Sequence, residues 1–140
     1  MSNSLKNHLY AIISGKSEVR HGKIIQTIAN YLRESQRTST TFKGSKHYKE
    51  QEKQKLESYI SKNQLWVKHI DFDLYVSEGA EQKVYLNNQK SVIKLNDSIY
   101  YNSWEDYFHN LLLHNTFFED TPYQLNGFHT ENDNLFAVVE

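Results

Sequence analysis

In the run Ser91-Val92-Ile93-Lys94-Leu95 a lysine stands where an apolar strand would carry a core side chain. A period of two sets Val92 and Lys94 on one face and Ile93 and Leu95 on the other. The run before it sets Val84 and Leu86 on a common face in the same way. If the two runs pair as a hairpin, Val84, Val92 and the Lys94 ammonium share a surface. The turn Ser77-Glu78-Gly79-Ala80-Glu81-Gln82 lies at the far end of that hairpin. Aliphatic groups beside a positive charge, under a glycine-bearing turn, suit a purine ring with phosphates attached. The aliphatics cover the ring, and the ammonium meets phosphate oxygens as a point charge. The competing reading of Lys94 is an ordinary lysine at a strand edge. Gly79 is expected at positive φ whatever the function of the turn.

Other constellations carry less. His109 and His114 are five residues apart, so on a helix they point about 140° from one another and cannot share a ligand face. Asp71 and Asp73 alternate outward from an apolar run, which is poor geometry for paired-acid catalysis. The sequence has no Gly-x-Ser-x-Gly, no phosphate loop of Walker type and no His-Glu-x-x-His. There is no cysteine, which excludes a structural disulfide and thiolate zinc sites.

The elements that would position Lys94 follow from periodicity. Leu5, Leu9, Ile12 and Ile13 form one helical stripe that Gly15 ends. Ile24, Ile25, Ile28, Tyr31 and Leu32 form a second. A third helix, over 46–63, has Leu56, Tyr59 and Ile60 as its apolar face and a densely charged first half that reads as solvated. Near residue 65 the period changes. Ile70, Phe72, Leu74 and Val76 alternate with polar neighbours and predict a half-buried strand over 69–76. Further strands are expected over 82–87, 91–95, 123–129 and 135–139, with Asn87-Asn88 as a hairpin turn. Between them Trp104, Phe108, Leu111, Leu112 and Phe118 mark one strong helix, with Phe117 also expected in the core. Ser103 and Asp106 have the form of a capping box, and Thr121-Pro122 closes the connection. The expected fold class is α+β: helices over 1–64, then a five-stranded antiparallel sheet with one packed helix over 65–140, the two parts forming one compact unit.

Composition bounds the function. The chain has 140 residues, 38% hydrophobic and 14% aromatic, enough for a real core. A net charge of -1 calls for neither nucleic acid nor an anionic membrane. No apolar run approaches a bilayer span, and the N-terminus reads as a helix, not a signal peptide. The expected compartment is the cytoplasm.

The motifs Ser77-to-Leu86 ("SEGAEQKVYL"), "VIKLND", "LLLHNTFF", "TPYQLNGF" and "LFAVVE", in that order, resemble the kinase-like domain of bacterial polyvalent proteins, which belong to phages and conjugative elements. The resemblance covers about residues 65–140 and reaches less firmly into "RHGKIIQTIANYL". It implies the small lobe of a protein-kinase fold. "EGAEQKVYL" is similar to a degenerate glycine loop, with Gly79 its only glycine and Val84 covering adenine. "VIK" is similar to the lysine strand, and Val138-Val139-Glu140 to the entry into the hinge. By resemblance Glu105 is the helix acid that pairs with Lys94, although it sits in the first helical turn; Glu81 is a rival.

The same resemblance marks what is missing. The 140 residues hold no His-Arg-Asp loop and no Asp-Phe-Gly, the sources of the catalytic base and the magnesium ligands. The expectation is therefore a nucleotide-binding half-domain, not catalytically competent alone. It would bind ATP weakly in isolation, and magnesium only together with a large lobe. The alternative is a non-catalytic interaction module that dimerises or binds a separate large lobe or partner. A remnant with no role beyond folding is the third reading.

Overall fold

Residues 2–79, 82–87 and 91–140 are described by a computed structural model of the chain. Three helices come first: α1 (Ser2–Ser14), α2 (Lys23–Ser35) and α3 (Lys46–Lys62). Gly15 ends α1 at φ +86°, the left-handed conformation that glycine adopts without Cβ strain. In α2 the expected stripe is buried through Ile25, Ile28 and Leu32. In α3 the buried residues are Tyr48, Glu52, Leu56 and Ile60, spaced by four along one face. The charged half of α3 is thus not wholly solvated: Glu52 is fully buried.

The sheet contains β1 (Tyr75–Glu78), β2 (Gln82–Leu86), β3 (Val92–Asn96), β4 (Leu125–Glu131) and β5 (Asn134–Val139). All neighbours are antiparallel, in the order β1-β2-β3-β5-β4. The fold is α+β, with α4 (Trp104–Phe117) between β3 and β4. Ser103 caps α4 by accepting from the Asp106 N–H at 3.1 Å. The Asp106 side chain does not return the bond; it takes Lys43 at 2.7 Å instead.

The strand expected over 69–76 is corrected. The Asp71 carboxylate accepts from the Asp73 N–H at 3.1 Å, and Phe72–Leu74 close into a 3-10 turn. Only then does β1 begin, exposed along its length at the sheet edge. Of the hairpin turn expected at Asn87-Asn88, Asn88 lies outside the described residues, as do Ala80 and Glu81. At the other edge of the sheet, Val67 and Leu65 bond to Phe128 at 2.8 and 2.9 Å. Gly127, at φ +151°, is needed there, because a Cβ would collide with the Leu65 carbonyl oxygen.

One core joins both halves of the chain. Ile12, Ile25, Ile28, Leu32, Leu56 and Ile60 from the first three helices pack with Phe108 and Leu112 of α4 and with Leu125, Phe128, Leu135 and Val139 of the sheet. Ile70, Tyr85, Leu95 and Val138 form a smaller cluster on the opposite sheet face. Phe117 and Phe118, expected in the core, are 59% and 58% exposed at the end of α4. The stripe has rotated off the core by the last turn, which leaves them outside.

Candidate functional site

The register of β2 and β3 builds the site. Val84 stands opposite Lys94, and Leu86 opposite Val92. Lys94 in turn stands opposite Val139, and Val139 opposite Leu125. Directly opposed residues share a face, so Val84, Leu86, Val92 and Lys94 continue the face on which α4 packs. Their alternates, Tyr85, Ile93 and Leu95, turn to the smaller cluster behind. Two valines and an ammonium therefore look out on one surface.

That surface is one wall of an open cleft of about 820 Å³, lined by Leu86, Val92 and Lys94 from the sheet, Ser91 just before β3, His114 of α4, and Asp120, Thr121, Pro122 and Tyr123 beyond that helix. His21, from the turn between α1 and α2, reaches its rim. The Lys94 amine donates to the Tyr123 hydroxyl at 3.1 Å and stands 4.9 Å from the ring centroid. Glu140 closes another part of the wall. Its carboxylate accepts from Asn87 at 2.7 Å, Ser91 at 2.8 Å and Asn126 at 3.2 Å. The bonds from Ser91 and Asn126 hold its pKa below the ordinary carboxylate value. Its backbone is taken by Gln124 in both directions, at 2.9 and 3.2 Å.

Gly79 ends β1, where its N–H donates to the Gln82 carbonyl at 2.9 Å. The positive φ expected of it is corrected: it lies outside the left-handed region. A hydrogen bond from its own N–H draws the turn in without that conformation. A Cβ there would meet nothing within 4 Å, so the backbone is open to approach.

Glu105 is placed elsewhere. It is buried at the N-terminal end of α4, 3.9 Å from Lys43 and 3.6 Å from the His109 ring. Burial raises the Glu105 pKa and lowers that of His109. The structure thus brings Val92, Lys94 and Glu140 to one cleft, sets Val84 opposite Lys94 on the same sheet face, leaves Gly79 at the end of β1, and pairs Glu105 with Lys43 and His109 instead. Glu81 is outside the described residues.

Two residues of the site were missed in the sequence. Tyr123, the partner of Lys94, lies 29 positions away, and no local pattern links them. Asn115, fully buried in α4, accepts from the Tyr123 N–H at 2.7 Å and donates to its carbonyl at 2.8 Å. Its place three and four residues after Leu112 and Leu111, on the buried stripe of the helix, was the available signal. Among the described residues no group of three or more His, Asp or Glu side chains is placed to hold a metal ion, and no helix is long and apolar enough to cross a membrane.

A family model described as serine/threonine/tyrosine kinase found in polyvalent proteins matches residues 49–140, which takes in most of α3, all of α4 and every strand. No curated protein and no solved structure matches the chain.

Proposed function

We propose, because the chain belongs to the family of serine/threonine/tyrosine kinases found in polyvalent proteins, that residues 65–140 act as the nucleotide-binding half of a kinase-like domain. The observation that supports this most is the register that sets Val84 against Lys94 and Leu86 against Val92, on the face where α4 packs. Val84 and Val92 cover the adenine ring. Lys94 takes the phosphates, and the open backbone at Gly79 lets them approach. Glu140 closes the ring end of the cleft through its three side-chain donors. Glu105 does not serve as the acid partner of Lys94; it steadies the start of α4 with Lys43.

ATP, when bound, supplies the phosphoryl group. The residues here bind and orient it. The 140 residues contain neither a His-Arg-Asp nor an Asp-Phe-Gly sequence, so a catalytic base and magnesium ligands come from a large lobe. Without that lobe half of the adenine slot is missing, and affinity is weak because preorganised contacts are lost.

Titration calorimetry with ATP and magnesium tests the reading. The full chain is expected to bind saturably and Lys94→Ala to lose that binding while keeping its thermal midpoint. Equal affinity in the two proteins would contradict it.

A second reading has its own support. Phe117 and Phe118 leave two large apolar side chains exposed beside the cleft, as a docking surface for a large lobe or a second copy would. Sedimentation velocity separates them: a copy-to-copy interface gives a concentration-dependent dimer, and a lobe-docking surface leaves a monomer.

A further inference from the structure

We infer that Tyr123 is the positioning residue for Lys94, in the role for which the resemblance nominated a helix carboxylate. This role rests on the nucleotide-site reading above. The Lys94 amine meets both the hydroxyl of Tyr123, at 3.1 Å, and the face of its ring, 4.9 Å from the centroid. Tyr123 is itself fixed. The buried Asn115 side chain bonds its N–H at 2.7 Å and its carbonyl at 2.8 Å, and the His114 ring lies 4.4 Å from its own. The position of α4 is therefore passed to Lys94 through Asn115 and Tyr123. Glu105, the acid proposed for that duty, is turned to Lys43 and His109.

The chemistry of a phenol differs from that of a carboxylate in a way that suits phosphate. An ammonium has three donors, and one phenol oxygen takes one of them. The remaining two stay available to phosphate oxygens. A phenol also brings no negative charge to repel the phosphates or to cancel the lysine. Holding the long side chain in place beforehand reduces the rotamer freedom lost on binding. Tyr123 acts through Lys94 and is not itself a catalytic residue.

The test uses the full chain with Tyr123→Phe and Tyr123→Leu. The Lys94 ε-methylene signal, assigned with Lys94→Arg, reports the ring. It is expected upfield in the wild type and in Tyr123→Phe, and at its ordinary position in Tyr123→Leu. Tyr123→Phe keeps both backbone bonds to Asn115, so its thermal midpoint should hold, while its affinity for ATP with magnesium falls about three- to tenfold. A Lys94 signal identical in the wild type and Tyr123→Leu would overturn the inference. So would a Tyr123→Phe protein that binds nucleotide equally or more tightly. A wild-type chain that binds no nucleotide would instead overturn the nucleotide-site reading, and with it the phosphate role of Tyr123. A wild type that binds, with Tyr123→Phe unchanged, would overturn the positioning role alone.

Discussion

Lys94 carries its charge into a surface otherwise built from valine and leucine, and its nearest partner is neutral. The placement was legible because a strand's period of two is local: Val92 and Lys94 are two residues apart, and the opposed Val84 follows from a short hairpin. The partner was not legible, since the chain passes through α4 before returning to Tyr123. Glu105 looked eligible by distance along the sequence. Its position in the first turn of α4 instead points it to Lys43, where it meets both a cation and the helix N-terminus. Asn115 is the residue on which the site's geometry most depends. Its amide also donates to the Arg20 carbonyl at 3.1 Å, tying the α1–α2 turn to α4. Replacing it with leucine removes the partners of the half-buried N–H and carbonyl of Tyr123, at a cost of about 1–3 kcal/mol. Chemical denaturation would show this as a lower midpoint with an unchanged slope.

At the scale of elements, α4 is fastened at its start by a residue from another helix. The Glu52 carboxylate, from α3, accepts from the Trp104 N–H at 2.6 Å and the Glu105 N–H at 3.2 Å. Those are donors that a helix start leaves without intrahelical partners. Burial nevertheless pushes the Glu52 pKa from 4.5 up to about 7, outweighing both hydrogen bonds. The folded state then keeps a proton that the unfolded chain has released. The stability linked to Glu52 is fully present below about pH 4.5 and is lost as pH rises through about 7. Glu105 acts in the same direction, and His109, whose pKa is lowered, acts in the opposite one as pH falls. Comparison with Glu52→Gln isolates the first of these. Wild-type stability should fall by about 1 kcal/mol per pH unit more steeply than that of Glu52→Gln between about pH 5 and pH 7. Parallel pH profiles from thermal unfolding would contradict this. The burial of Glu52 could have been read from its place four residues after Tyr48 and four before Leu56. The charged residues around it obscured that stripe. The misplaced first strand had a different cause: Ile70, Phe72, Leu74 and Val76 alternate as a strand would, but the short Asp71 side chain competes locally for the backbone and turns it.

Across the whole molecule, the helices of the first half complete the core beneath α4 and the sheet. Residues 49–140, the part matched by the family model, would lose the cover of α1 and α2 if expressed alone. Phe108 and Leu112 would then meet water. That segment is expected to lack a cooperative thermal transition, whereas the full chain should unfold in one. A sharp transition in the segment would show that the first helices are an accessory. The class of the fold was legible because long helical stripes and short alternating runs are distinct signals. One compact unit was expected, but not which residues meet in the shared core, because packing between distant stripes leaves no mark on either one. The exposed Phe117 and Phe118 belong to this scale too, as surface that the rest of the molecule does not cover.

In the proposed function nucleotide meets the Lys94 face of the sheet, and backbone amide shifts during an ATP titration read that face residue by residue. The largest changes are expected at Val84, Val92, Lys94 and Tyr123, with α4 responding through Asn115. Changes centred on Tyr85, Ile93 and Leu95, or none at saturating nucleotide, would contradict it.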